Sequence, residues 1–127
     1  MKNIFVKILF VFGSFSCNSG NEFPAAENAL DAAREYIDGT LKGEFKRSNA
    51  YLLQTESNKK HLEERKENYY QFNDVQRQDY RGASIIIEKE QRVSSDRSVI
   101  YYQNSFDKKK DSIVVVNTLG DWKVTFE

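Results

Sequence analysis

The chain has 127 residues, enough for a single domain, and its 30% charged and 39% apolar residues are typical of a globular protein with a modest core. Basic and acidic residues are equal at 19 each, so the composition argues against nucleic acid as a partner. The single cysteine excludes an intramolecular disulfide, and one histidine without a second leaves too few ligands for zinc. No metal and no cofactor are therefore expected.

The first 16 residues have the order of a secretory signal peptide. Lys2 and Lys7 provide a cationic start, ILFVF at 8–12 is apolar, and the small-residue segment GSFSC ends on Cys17. The apolar run is far shorter than the roughly 20 residues that a membrane-spanning helix needs. We therefore predict a signal peptide at 1–16 rather than a transmembrane anchor.

The segment FGSFSC resembles the lipobox of bacterial lipoproteins, although Ser14 stands where most such boxes have leucine. The resemblance implies that Cys17 becomes the mature N-terminus and carries a diacylglyceryl thioether, with residues 17–23 as a polar tether. Two or three acyl chains hold a protein on a bilayer far more firmly than one. The expected location is the bacterial cell envelope, with the membrane as a partner through the lipid. The alternative is a free cysteine after an ordinary secretory cleavage.

Three helices are predicted in the next half of the chain. The first opens at Pro24 and ends at Gly43, because Pro suits a first helical turn and Gly suits a helix end. A short second helix follows in 44–55. A third runs from about Glu56 into the seventies, and one of its faces carries apolar residues at helical spacing: Leu62, Tyr69, Phe72 and Val75. Gly82 is expected to end this helical half.

Four strands are predicted from Ala83 onward. The segments SIIIEKEQRV, SVIYYQNSF, SIVVVNT and WKVTF are rich in β-branched and aromatic residues, and short polar turns separate them. Short links between consecutive strands predict an antiparallel meander. In WKVTF, strict alternation would put Trp122, Val124 and Phe126 on one face. The fold class is therefore α+β, with three N-terminal helices packed on a four-stranded antiparallel sheet.

This order of elements resembles uncharacterised bacterial lipoprotein domains of the nuclear transport factor 2-like superfamily. The resemblance rests on LKGEF at 41–45 and GDWKVTF at 120–126. It implies a domain over 24–127 in which a curved sheet wraps around helices to form a cone with an open end. Function does not follow from it, because that superfamily includes enzymes, binding proteins and assembly modules.

Aromatic residues are the strongest candidates for a binding site. A cone would bring many of them toward its interior, and aromatic walls with a few hydroxyl groups are typical of small-ligand pockets. The same residues would also serve simply to fill the core of a small domain. The candidate ligand-binding residues are Tyr36, Tyr51, Tyr69, Phe72, Tyr101 and Trp122.

The remaining polar motifs favour simpler interpretations. His61 lies among lysines and glutamates, so we expect it to face solvent. Glu88 and Glu90 would share one face of a strand, and an exposed face is the favoured explanation. The lysine run 108–110 could contact anionic head groups, but a solvated hairpin tip is the default interpretation.

No catalytic set is evident, because no glycine-flanked serine accompanies the histidine. The favoured function is a non-catalytic, lipid-anchored binding or interaction module with a small-ligand pocket in the cone. The first alternative is an isomerase-like or dehydratase-like enzyme that would use Tyr36, Tyr69 or His61. The second is a structural module that forms a homodimer through the sheet face.

Overall fold

A computed structural model describes residues 22–127, and these form an α+β domain with an open four-stranded antiparallel sheet. The sheet and the fold class are as predicted, but the helices number four in this part of the chain instead of three. The elements are α1 (Ala29–Lys42), α2 (Phe45–Ala50), α3 (Glu56–Gln71), α4 (Asp74–Arg81), β1 (Ile85–Ser94), β2 (Arg97–Asn104), β3 (Asp111–Thr118) and β4 (Asp121–Thr125). The predicted signal peptide, Cys17 and most of the tether lie outside the described residues.

Helix α1 begins later than predicted. Pro24 does not open it; instead the side chain of Asn28 accepts a hydrogen bond from the backbone N–H of Asp31 at 2.8 Å and caps the first turn. An N-cap acceptor satisfies a backbone donor that a proline cannot satisfy. The predicted end is confirmed, because Gly43 has a left-handed φ of 73° and its N–H bonds to the carbonyl of Gly39.

Helices α1 and α2 pack very closely. A Cβ atom on Gly39 would lie 2.3 Å from the Oγ of Ser48, so only glycine fits at this crossing. The Ser48 hydroxyl donates to the carbonyl of Tyr36 at 2.8 Å. Arg47 adds ion pairs to α1, with its Nε 2.8 Å from a Glu35 oxygen. These contacts fix α1 against α2.

The predicted third helix is two helices. Phe72 has an extended backbone, and Asn73 then caps α4 through a reciprocal pair of hydrogen bonds with Gln76. The apolar face predicted for one long helix therefore ends at Phe72. Val75, which was expected to continue that face, lies on α4 and is 67% exposed. Gly82 ends the helical half, as predicted.

The sheet is a meander in the order β1-β2-β3-β4. Its inner face is built by Ile100, Ile113, Val115 and Val124, which are at most 2% exposed and pack against the helices. A bulge at Glu88 interrupts the register of β1, so the alternation that would place this residue and the next glutamate on one face is broken. Both glutamates are exposed, as predicted.

The edge of β4 that does not pair with β3 is hydrogen-bonded to the segment that follows α2. The N–H of Leu53 bonds to the carbonyl of Val124 at 2.8 Å, and the N–H of Val124 bonds to the carbonyl of Tyr51 at 2.7 Å. Strict alternation would put Thr125 on the face opposite Val124, yet it is 3% exposed and accepts a hydrogen bond from the amide of Asn58 at the start of α3. The end of β4 is thus fixed between α2 and α3.

None of the helices in residues 22–127 combines the length and the apolar character needed to cross a bilayer.

Candidate functional site

The principal candidate site is a cleft of about 530 Å³ between the helices and the β2–β3 connection. Its floor and walls come from the C-terminal half of α1, one face of α3, and the loop between β2 and β3. The lining residues are Ile37, Thr40, Leu41, His61, Glu64, Arg65, Asn68, Tyr69, Phe72, Tyr80, Tyr102, Asn104, Asp107, Lys109, Lys110 and Asp111. A cleft of this size is in the usual range for small-molecule sites.

Helix α3 provides one wall because of its spacing. His61, Arg65 and Tyr69 follow one another at four-residue intervals and therefore lie on the same side of the helix. Leu62 lies next to this row and is buried at 7% exposure. The face of α3 that approaches the sheet is consequently partly polar, and the prediction that His61 faces solvent is wrong.

His61 lies against the last residues of the chain. Its ring stacks on the ring of Phe126 with centroids 3.7 Å apart and an interplanar angle of 14°. Its Nδ1 is buried and has no hydrogen-bond partner in residues 22–127. Burial lowers the pKa of this histidine below its usual value, and the nearby Arg65 lowers it further. The imidazole is therefore mainly neutral at pH 7.

Arg65 extends one turn further along α3. Its Nη2 is 3.7 Å from an oxygen of Asp111, which is an ion pair but too long for a hydrogen bond. Its Nε is buried and unpartnered within the described part of the chain. The Asp111 carboxylate is better supported, since it accepts from the Tyr102 hydroxyl at 3.3 Å and from the Ser112 N–H at 2.8 Å.

Tyr36 lies beneath this region on α1. It is 1% exposed, its ring is 5.6 Å from that of Phe126, and its hydroxyl has no partner in the described residues. Burial raises the pKa of Tyr36 to about 12, and the attraction of Arg65 only partly opposes this. The hydroxyl therefore stays protonated at neutral pH. All three buried side-chain polar atoms without partners in residues 22–127 belong to Tyr36, His61 and Arg65.

The opposite end of the cleft is aromatic. The rings of Phe72 and Tyr80 stack with centroids 5.0 Å apart, and Tyr69 meets Phe72 edge to face at 6.5 Å. Phe106 closes the row with an edge-to-face contact on Tyr80. The break between α3 and α4 makes this wall, because it turns the chain at Phe72 and brings Tyr80 back against it.

The basic run 108–110 lies at the rim. Lys109 and Lys110 line the cleft, and the Lys110 ammonium is 3.8 Å from a Glu88 oxygen. The positive φ of 54° at Lys108 turns the chain here. Two of the three lysines are thus part of the cleft surface in addition to being at a hairpin tip.

A search of family models, of curated proteins and of solved structures finds no match to this chain. The chemistry of the cleft therefore has to be argued from its own residues.

The predicted binding residues are divided among several places. Tyr69 and Phe72 line the cleft, and Tyr36 lies below it. Tyr51 lies elsewhere, at a second concavity of about 570 Å³ near the tether, where its hydroxyl donates to the Pro24 carbonyl at 2.6 Å. Tyr101 is on the outer face of the sheet, 36% exposed, and Trp122 is half-buried on β4 and lines neither cavity.

Sequence reasoning missed Arg65, Tyr80 and Asp111 as site residues. The four-residue spacing from His61 through Arg65 to Tyr69 was a signal for the first of these. Within residues 22–127, no cluster of three or more His, Cys, Asp or Glu side chains is placed to hold a metal ion.

Proposed function

We propose that this chain is a lipid-anchored protein of the bacterial cell envelope that binds a small ligand in the cleft, as a binding module rather than a catalyst. The observation that supports ligand binding is the cleft together with the buried polar atoms there that lack partners within the described residues. Unpartnered buried polar atoms cost free energy, about 1–3 kcal/mol each when nothing satisfies them. Two such atoms, His61 Nδ1 and Arg65 Nε, belong to residues that line the cleft, where a bound molecule or ordered water would satisfy them; the third is the hydroxyl of Tyr36, which lies below the cleft.

The binding half is tested by native mass spectrometry of protein purified from its own host. We expect a retained mass on the wild type. Asn68→Trp, which would place an indole in the cleft, should lose that mass. Lys66→Trp is the matched control, because Lys66 is exposed on the same helix and does not line the cleft. Equal retention by the two variants, or no retained mass on the wild type, contradicts a ligand-binding cleft.

The anchoring half rests on the order of residues 1–17. A Cys17→Ser variant has no thiol for the thioether, so we expect it to leave the membrane fraction on washing with carbonate, whereas the wild type stays. Mass spectrometry of the N-terminal peptide should show a diacylglyceryl-modified cysteine. An unmodified Cys17 in the native host overturns the anchor.

We propose further that the domain is a cone of the nuclear transport factor 2-like kind. The contacts of LKGEF and GDWKVTF support this, since Gly43 ends α1, Phe45 is in the core, and residues 121–125 form the last strand. An experimental structure in which the sheet is flat, with no helix inside its curve, would contradict it.

An enzymatic role is the second candidate, and one observation favours it. A neutral imidazole with an unpartnered Nδ1 in a cleft has the properties of a general base. If the retained molecule is turned over, His61→Gln should abolish turnover while the molecule still binds. Turnover that survives this substitution excludes the base role.

The homodimer remains a third proposal. The outer face of the sheet carries exposed Ile86 and Tyr101, but Lys89 and Gln91 interrupt it. Sedimentation of the wild type and of Tyr101→Glu tests it: a dimer that the glutamate dissociates supports the sheet-face interface, and a wild-type monomer refutes it.

A further inference from the structure

The charged groups that line the cleft differ in how many hydrogen bonds the protein already provides for them. Its two best-placed carboxylates already have donors. Asp111 accepts from a tyrosine hydroxyl and a backbone N–H, and Asp107 accepts from the Tyr80 hydroxyl at 3.3 Å and from the Lys109 N–H at 2.9 Å. Each oxygen of these two carboxylates thus already accepts one hydrogen bond from the protein.

The cationic groups of the cleft are in the opposite condition. In residues 22–127, no acceptor lies within hydrogen-bond distance of the guanidinium of Arg65, since Asp111 is 3.7 Å from Nη2 and Nε has no partner. The ammonium of Lys109 forms no ion pair in this region, and that of Lys110 is 3.8 Å from Glu88. Glu64 also lines the cleft, so its charged side chains are balanced at three of each sign, and within the described residues the donors of Arg65 and Lys109 have no hydrogen-bonded acceptor.

Two neutral groups lie close to these cations. The Tyr36 hydroxyl is protonated and, in the described part of the chain, unpartnered, but it does not line the cleft, and the unpartnered Nδ1 of His61 is a donor only in the tautomer that carries the proton on that nitrogen. Both rings pack against Phe126, and the positive charge of Arg65 acts on both groups. A bound group with acceptor atoms would satisfy the donors of Arg65 that residues 22–127 leave unpaired.

We propose that the ligand is an organic acid: its carboxylate accepts hydrogen bonds from Arg65, and its apolar part packs against Tyr69, Phe72 and Tyr80. This proposal deepens the proposed function and rests on it. Nε–H and the adjacent Nη2–H lie on one edge of the guanidinium, which is the edge that binds carboxylates in a bidentate manner. The aromatic wall favours an organic acid over inorganic phosphate, because an inorganic anion would leave that apolar surface uncovered.

Three probes test the proposal by titration calorimetry on the full protein in detergent. They are 3-phenylpropionate, its amide 3-phenylpropionamide, and acetate. We expect the acid to bind at least about tenfold more tightly than the amide, which corresponds to about 1.4 kcal/mol. Acetate, which has no apolar tail, should bind more weakly than the phenyl acid.

Variants assign the effect to residues. Arg65→Gln should weaken binding of 3-phenylpropionate at least about tenfold, and Lys66→Gln is the control that removes one positive charge from the same helix outside the cleft. Phe72→Leu should weaken the phenyl acid and leave acetate unchanged. Each variant is first compared with the wild type by thermal unfolding, so that a loss of affinity is measured on folded protein.

Several outcomes overturn the organic-acid assignment. These are an amide that binds as tightly as the acid, unchanged affinity in Arg65→Gln, and acetate that binds as tightly as 3-phenylpropionate. Absence of binding by all three probes overturns it as well. In each case the retained mass on the wild type and its loss in Asn68→Trp still decide whether the cleft binds any ligand, so the two proposals fail separately.

Discussion

Asn58 is expected to be the most important single polar side chain for stability. It is fully buried at the start of α3, and its side chain makes three hydrogen bonds. Its amide N–H₂ donates to the Leu53 carbonyl and to the Thr125 hydroxyl, both at 3.0 Å, and its carbonyl oxygen accepts from the Phe126 N–H at 2.8 Å. One residue thus joins the segment after α2, the start of α3 and the end of β4.

The expected cost of Asn58→Ala follows from these three bonds. Each contributes about 1 kcal/mol net, and the Phe126 N–H would be left without this acceptor, so the free energy of unfolding should fall by about 3 kcal/mol. Thr125→Val removes the bond from Asn58 and the longer 3.3 Å bond from the Glu127 N–H but keeps the shape of the side chain, and it should cost about 1–2 kcal/mol. Because both variants remove the same bond, their effects should be subadditive by about 1 kcal/mol in the double variant.

Urea unfolding measures these values, with the fluorescence of Trp122 as the signal, because it is the only tryptophan and is half-buried on β4. Asn49→Ala is the matched control, since Asn49 is exposed, and its effect should lie within about 0.5 kcal/mol of zero. A loss of less than about 1 kcal/mol in Asn58→Ala, or strictly additive effects with Thr125→Val, would refute the argument that Asn58 joins these segments.

Three further predictions concern α1 and the cleft. Gly39→Ala should destabilise the protein by about 2 kcal/mol, because the new Cβ would overlap the Ser48 hydroxyl. Chemical denaturation of the double variant with Ser48→Gly should show that part of the lost stability is recovered. No recovery of stability would contradict the clash. The pKa of His61 is lowered in the folded state, so the unfolded chain binds a proton first as the pH falls below about 6.5. The free energy of unfolding should therefore fall with pH until the folded-state pKa is reached. Unfolding of the wild type and of His61→Gln between about pH 7.5 and 5 should show this dependence in the wild type only. Tyr36→Phe should leave stability unchanged within about 1 kcal/mol or raise it, because the hydroxyl has no partner in the described residues. Tyr102→Phe loses a hydrogen bond to a carboxylate and should be destabilised. A large loss of stability of Tyr36→Phe in thermal melts would mean that the Tyr36 hydroxyl is hydrogen-bonded in solution.

The sheet could be predicted from the sequence because its signals are local. Alternating or continuous β-branched runs separated by short polar turns specify an antiparallel meander, and all four strands lie within a residue or two of their predicted positions. The end of α1 was local as well, since Gly43 adopts the left-handed conformation that glycine favours. Thr125 departs from the expected alternation because a side chain from another element, Asn58, covers it.

The start of α3 at Glu56 was predicted, but the starts of α1 and α4 were harder, because two local signals competed at each. Pro24 is compatible with a helix start, but it provides no acceptor for a free N–H, and Asn28 does. The break before α4 was visible in the sequence as Asn73 followed three residues later by Gln76, a pattern that fixes a new N-terminus inside a continuous helical run. Weighting capping above apolar periodicity would have found both.

The site was the least predictable part, because its central contact is non-local. The charged neighbours of His61 in sequence indicate a solvent-facing side chain, whereas its position is set by the ring of Phe126 at the other end of the chain. The unpartnered state of Arg65 depends on a 3.7 Å distance to Asp111 on another element. Neither fact has a sequence signal of its own.

The coverage of β4 by residues 51–53 has a consequence for self-association between copies. Strand addition, the step by which β-rich proteins aggregate, needs a row of unpaired backbone groups, and the Leu52–Val124 pairing occupies that row on β4. Within residues 22–127, the other border of the sheet is β1, where bulges disturb the hydrogen-bond repeat and Lys89 and Arg92 add charge. One border is thus blocked by bonds already made, and the other by charge and broken register, so growth of the sheet from molecule to molecule is opposed on both sides.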